Sequence, residues 1–200
     1  MITLSKDIRQ VLEVGNPRDH IVLWHRTDAI RDAVMSEFIE AGAKNHEYIV
    51  IALCLGDFEA LERAISKRLY SLDALIDGGD LVMFVSCEFL PRKDGAHKAR
   101  ARETFADLEG KAKNDRRGLR LLGTISFEIL ASGDEDGCLE MERIGRESLN
   151  RGRLLCLYDT KMLRNVGSGQ MAKVNGTHTH VLVEGENRSV QLSARSPQSP

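Results

Sequence analysis

The sequence has no Gly-x-x-x-x-Gly-Lys-Ser/Thr segment, the glycine-spaced loop whose backbone N–H groups wrap nucleotide phosphates, and this disfavours ATP hydrolysis. Its four cysteines, at 54, 87, 138 and 156, form no Cys-x-x-Cys pair. Three of them sit in apolar runs, where cysteine serves as a small hydrophobe, so no disulfide framework is required. Basic excess is missing too: 28 Lys and Arg against 30 Asp and Glu leave a net charge of -2, with the two signs interspersed. That argues against direct nucleic-acid binding, which needs a basic face. No apolar run approaches the roughly 20 residues that span a bilayer. The start Met1-Ile2-Thr3-Leu4-Ser5-Lys6-Asp7 lacks the basic-then-apolar order of a signal peptide. A soluble, cytoplasmic protein without membrane contact is expected. There is no internal repeat, and Ser126 lacks a Gly-x-Ser-x-Gly elbow.

What is present is a full-sized core: 200 residues with 42% hydrophobic and 29% charged suit one globular domain. The chain is organised around His20 to Asp57. There the apolar run Ile21–His25, an amphipathic segment from Thr27 to Ala43 and a second apolar run Tyr48–Leu55 make a β-α-β unit. Thr27 is the expected N-cap, its hydroxyl accepting an orphan N–H. Before this unit, residues 2–14 read as a short helix stopped by Gly15-Asn16-Pro17, able to pack on the domain or on a second copy. After it come a helix from Phe58 to Arg68, a helical turn through Leu72, Leu75 and Ile76, and a strand Leu81–Val85. A charged helix over Ala96–Asn114 and a strand Leu119–Ile125 follow. Then come an acidic loop at Gly133–Gly137, a helix Cys138–Leu149 and a strand Leu154–Tyr158. Met162–Gly176 is a short helix or loop, Val181–Glu184 a strand, and Ser189–Leu192 an edge strand. The expected organisation is residues 1–16 as helix and linker, 17–192 as the domain, and 193–200 as a polar, disordered tail. Strands alternating with helices predict a three-layer α/β sandwich with a mainly parallel central sheet, whose ligands bind beyond the carboxyl ends of the strands.

Several segments, in this order, resemble a family: His20-Ile21 with Trp24, the helix ending Glu40-Ala41-Gly42, Gly118-Leu119-Arg120-Leu121-Leu122-Gly123, and Tyr158-Asp159. Together they look like the MEDS domain, the sensory domain of methanogen and methylotroph regulators including the dichloromethane regulator DcmR. Glu142 falls where such domains carry a helix glutamate, and Thr177-His178 resembles their Thr-His pair before the last strand. The resemblance, from about His20 to Val183, implies a RecA/KaiC-like core that has lost its phosphate loop and serves as a sensor. Two positions depart from the pattern: His25-Arg26 stands where a Tyr-Asp pair is usual, and Thr124 replaces an acidic residue.

The residues that the strand-end rule selects are Trp24, His25, Arg26, Thr27, Asp57, Glu88, Thr124, Ser126, Tyr158 and Asp159. They are the expected ligand-binding set, with no catalytic residue, metal or cofactor assigned. Arg26 beside a helix N-terminus offers an anion site, the alternative being an ordinary capped helix. Cys54, Cys87 and Cys156 lie on three strands and could converge with His25 or His178 on a thiophilic metal, although small-core roles suit them as well. His178 and His180 would share one face of an extended segment. The expected function is a non-catalytic sensory or regulatory domain. It would bind a small-molecule signal and pass it to a protein partner, or a second copy, in signal transduction or transcriptional control. The alternatives are a divergent nucleotide-binding or thiol/metal redox enzyme, and a purely structural interaction module built on the first helix.

Overall fold

Side chains alternate across a strand, and this alternation decides which helices cover which face of the sheet. The computed structural model describes residues 2–53, 55–66, 72–85, 96–115, 117–163 and 166–193. Seven strands form one sheet in the order β3-β2-β4-β5-β1-β6-β7. They are β1 (His20–His25), β2 (Tyr48–Leu53), β3 (Leu81–Val85), β4 (Leu119–Gly123), β5 (Gly152–Asp159), β6 (His180–Glu184) and β7 (Val190–Ser193). Each neighbouring pair is parallel except β6 and β7, which are antiparallel. The strands β1, β2, β4 and β5 are buried almost throughout, as expected where helices cover both faces.

Ile21 and Leu23 of β1, Ile49 and Ile51 of β2, and Leu155 and Leu157 of β5 point to one face. There they meet helices α1 (Lys6–Glu13), α2 (Asp28–Lys44), α3 (Leu55–Ile65) and α4 (Leu72–Asp77). Val22 and Trp24, Val50, and Cys156 and Tyr158 point the other way. That face is covered by α5 (Ala96–Asn114), α6 (Ile125–Ala131), α7 (Glu135–Ser148) and α8 (Ser168–Thr177). The architecture is therefore a three-layer α/β sandwich.

Helix α1 is held on its own domain. Ile8 and Leu12 are fully buried, and two buried arginines donate to its C-terminal carbonyls. Arg120 Nη1 bonds Leu12 O at 2.6 Å, Arg120 Nη2 bonds Glu13 O at 3.0 Å, and Arg153 Nη1 bonds Leu12 O at 3.0 Å. Cations there offset the negative end of the helix dipole and satisfy carbonyls that have no intrahelical partner. Gly42 sits inside α2 rather than at its end, and a Cβ there would stand 2.8 Å from Arg120 Cδ, so glycine is what lets the arginine pass.

Several boundaries differ from the sequence reading. Leu55, Gly56 and Asp57 open α3 instead of ending β2 and turning. Strand β4 stops at Gly123, and Ile125–Ala131, a run whose first residue reads as strand, is helix α6. Thr124, which N-caps it by position, turns its hydroxyl to Glu128 Oε1 at 2.7 Å, an i,i+4 tie that favours helix. The expected acidic loop is partly α7, which begins at Glu135 because Asp134 caps it through Gly137 N at 2.8 Å. Ser193, assigned to the tail, pairs with Val181 in β7, while residues 194–200 lie outside the described residues. Among the described residues no helix is long and apolar enough to cross a membrane.

Candidate functional site

The strand-end residues that the structure describes are divided between the two faces of the sheet. Trp24 and His25 are adjacent on β1 and face opposite sides of the sheet, as do Tyr158 and Asp159 on β5. Trp24 is core: its indole N–H donates to Asn175 Oδ1 at 2.7 Å, and its ring lies 4.6 Å from that of Tyr158. Thr124 and Ser126 are buried around the start of α6, and Asp159 Oδ1 caps its own turn through Lys161 N. Asp57 falls in the first turn of α3 with its side chain outside what is described, and Glu88, Cys54 and Cys87 lie outside the described residues.

At the turn His25-Arg26-Thr27, which leads into α2, the backbone donors meet a carboxylate from the chain itself. Glu184 Oε2 accepts from the backbone N–H groups of Arg26 at 2.5 Å and Thr27 at 2.8 Å, and Thr27 Oγ1 donates to Oε1 at 2.9 Å. Arg26 Nη2 donates to the carbonyl of Gly185 at 3.0 Å. Thr27 thus caps by position, but its hydroxyl donates to Glu184 instead of accepting from α2. Partial burial disfavours the charged Glu184, yet the three donors outweigh it and hold its pKa below the usual carboxylate value. A helix N-terminus favours an anion, and here an internal carboxylate stands in the turn just before it.

Behind this turn His25 is buried, and Nδ1 has no hydrogen-bond partner among the described residues. Burial, aided by the charge on Arg31 and opposed by Asp159, lowers its pKa from 6.5 to about 4. The folded state therefore binds fewer protons than the unfolded state between these values. His25's contribution to stability is complete above pH 6.5 and is lost as pH falls toward about 4. Between pH 7 and pH 5 it should remove about 2 kcal/mol. Urea unfolding at the two pH values checks this. His25→Gln should flatten the slope but not abolish it, because burial and the neighbouring His178 also lower His20. An unchanged slope would show that His25 is not the titrating group.

On the opposite face the sheet and two helices bring together a set of polar side chains that the strand-end rule does not select. His20 opens β1, Cys156 lies in β5, Glu142 comes from α7, and His178 stands between α8 and β6; all four are buried. Glu142 Oε2 lies 2.9 Å from His20 Nε2, 3.2 Å from His178 Nε2 and 3.4 Å from Cys156 Sγ. His20 Nε2 lies 3.3 Å from Cys156 Sγ, and the two imidazole centroids are 3.9 Å apart. The other carboxylate oxygen, Oε1, accepts from Tyr158 OH at 2.5 Å, and Tyr158 OH is 3.3 Å from Cys138 Sγ. Burial opposes the charge on Glu142, but the two histidines prevail and keep it ionised, its pKa well below the ordinary value. The same burial and the Glu142 charge push the Cys156 thiol well up, and burial raises Cys138 to about 12. Neither sulfur is then a free thiolate at neutral pH, which disfavours a thiol nucleophile. Of the cysteines expected to converge, Cys156 does reach His178, but its other partners are His20 and Glu142, and His25 is on the far face. His180 does not join His178: it is partly exposed beside Asp19, Nε2 to Oδ1 3.4 Å.

A small apolar cavity of about 30 Å³ lies on the same face, lined by Val50, Ala52, Phe84, Phe105, Leu108 and Met141 among others. It sits near the carboxyl ends of β2 and β3 and the start of α6. Met141 is the neighbour of Glu142 on α7, so one helix lines the cavity and supplies the buried carboxylate.

The strand order, with β5 between β1 and β4, and the helix layers define a RecA/KaiC-like α/β protein. Among solved structures the chain is similar to an uncharacterised Pyrococcus horikoshii protein in complex with an unknown peptide (TM-score 0.65, 12% identity, 95% of this chain and 89% of that one). It is also similar to a KaiC-like protein from Pyrococcus horikoshii (TM-score 0.57, 14% identity, 88% and 77%). A third likeness is to the flagellar accessory protein FlaH from Methanocaldococcus jannaschii (TM-score 0.51, 11% identity, 91% and 78%). No curated protein sequence matches the chain. The MEDS family, described as MEthanogen/methylotroph, DcmR Sensory domain, matches residues 19–179, and the chain belongs to that family.

Proposed function

We propose that the chain is a non-catalytic sensory domain that binds a small apolar molecule and signals to a protein partner. Membership of a sensory family supports the role. The observation that carries it against nucleotide chemistry is the Glu184 carboxylate seated on the N–H groups of Arg26 and Thr27, where a bound phosphate would need those donors. The ligand class follows from the cavity at Val50, Phe105 and Leu108, whose lining favours a molecule of few heavy atoms over water. A ligand that binds one position of α5 and α7 more tightly than another shifts the population of surfaces offered to the partner.

Calorimetry with magnesium and ATP should give neither saturable heat nor phosphate release. Xenon and short-chain hydrocarbons or haloalkanes should shift the NMR signals of methyl groups lining the cavity, and Leu108→Trp, which fills it, should remove the shifts. Nucleotide binding with turnover would overturn the reading, as would apolar probes that perturb wild type and Leu108→Trp alike.

A further inference from the structure

We propose that His20, Glu142, Cys156 and His178 form a site for one divalent transition-metal ion of the zinc class. The inference goes beyond the sensory reading and does not rest on the apolar cavity. Each side chain offers one donor atom, and the four atoms lie within 4.8 Å of one another. Zinc bonds of about 2.0 Å to nitrogen or oxygen and 2.3 Å to sulfur place tetrahedral ligands roughly 3.3–3.6 Å apart. The pairs Glu142–His178, Glu142–Cys156 and His20–Cys156, at 3.2, 3.4 and 3.3 Å, are already near those edges, and Glu142–His20, at 2.9 Å, needs only a slight opening.

The hydrogen atoms point the same way. His178 Nδ1 is 2.8 Å from the carbonyl of Val174, which can only accept, so Nδ1 carries a proton. In the neutral ring Nε2 then presents a lone pair to Glu142 Oε2 across 3.2 Å. Two lone pairs at that distance require a cation between them, either a proton or a metal ion. An imidazole that donates one N–H to a backbone carbonyl and aims the other nitrogen at a donor cluster has the usual setting of a metal ligand. Glu142 is braced likewise, with Oε1 held by Tyr158 OH while Oε2 faces the other donors.

The charge also balances. A divalent ion, the Glu142 carboxylate, a Cys156 thiolate and two neutral imidazoles sum to zero, which suits a site cut off from water. The Cys156 proton leaves to solvent as the ion binds, since a coordinated thiol is deprotonated. Histidine, carboxylate and thiolate donors together select zinc, or cobalt as its spectroscopic substitute, over magnesium and calcium, which take oxygen ligands.

Because the donors are buried, the test unfolds the full chain in denaturant, refolds it with cobalt(II) and desalts it. The expected result is one cobalt per chain, with the intense visible bands of tetrahedral cobalt and a thiolate-to-metal charge-transfer band. Cys156→Ser should lose the charge-transfer band, His178→Ala should lose stoichiometric metal, and His180→Ala, outside the cluster, should retain both. Tyr158→Phe should weaken binding about 10- to 100-fold, as loss of a group orienting a ligand does. Circular dichroism identifies variants that fold, and zinc, unlike magnesium, should raise the Tm of the wild-type chain. The proposal is overturned if refolded wild type retains no cobalt, which would leave a shared proton between His178 and Glu142. It is equally overturned if the bound cobalt shows no thiolate band or survives in folded His178→Ala.

Discussion

Arg120→Met should destabilise the protein by about 3–5 kcal/mol, the usual cost of removing one partner from a buried charged network. For a chain of 200 residues this lowers Tm by about 6–20 °C. The Arg120 guanidinium is 1% exposed and lies 4.8 Å from the Phe38 ring centroid. It pairs with Glu47 through Nε, and its remaining donors go to the carbonyls of Leu12, Phe38 and Glu13. Methionine fills much of the volume but leaves a carboxylate and carbonyls of both α1 and α2 without that partner. Arg153 partly compensates. Burial, and next the Arg120 charge, lower its pKa to about 10, so removing Arg120 relieves a repulsion while Arg153 still holds Leu12. Losses in the double Arg120→Met, Arg153→Met variant should therefore not be additive. Urea unfolding gives the magnitude, and limited proteolysis shows where: cleavage should appear first around α1. A loss below about 1 kcal/mol would mean that water replaces the arginine at those carbonyls.

The second large effect is at Glu142. Glu142→Leu removes the acceptor that faces both imidazoles and the Tyr158 hydroxyl, and should cost about 3–5 kcal/mol. Glu142→Gln should cost much less, about 1–2 kcal/mol, because its amide can donate to His178 Nε2 while its carbonyl still accepts from Tyr158. The ordering of the two variants by chemical denaturation is the test. Equal losses would show that the cluster depends on the charge of Glu142 and not on matched donors and acceptors. Both measurements are made on metal-free protein, so they are independent of ion binding.

These two networks explain how a sheet that lacks a phosphate loop stays well defined where its helices end and begin. Glu184 supplies the anion at the start of α2, and Arg120 with Arg153 supplies the cations at the end of α1. The arginines satisfy carbonyls that the end of α1 leaves unpaired, and Glu184 satisfies N–H groups of the turn before α2. On the other face the polar cluster sits among apolar residues of β1, β5, α7 and α8. Any ion or proton it holds is tied to the packing of all four elements.

Much of the architecture was legible from residue patterns. Strands stand at the runs Ile21–His25, Tyr48–Leu55 (shortened to Leu53) and Leu81–Val85, Thr27 begins a helix, and the three-layer sandwich follows from alternating strand and helix periods. What misled was local. Thr124 and Ile125 read as the end of the β4 strand, and only the tie from Thr124 to Glu128 reveals the helix. The site was less legible. Trp24, His25, Tyr158 and Asp159 were grouped by closeness to strand ends, although adjacent strand residues face opposite ways. His20 and Glu142 stood out only through the family resemblance, whereas His178 and Cys156 were also weighed as metal donors.

By itself the sequence determined the class of fold, since periodicity and helix caps act within a few residues and can be read there. It also settled that no glycine-rich phosphate loop exists. Only the tertiary structure decided what took that loop's place and where the polar chemistry gathers. Glu184 reaches α2 because β6 pairs with β1 so that Trp24 lies beside Val183. His20 meets Cys156, 136 residues away, because β1 pairs with β5. Such meetings depend on strand register and helix docking, and those are fixed by the packing of the whole core.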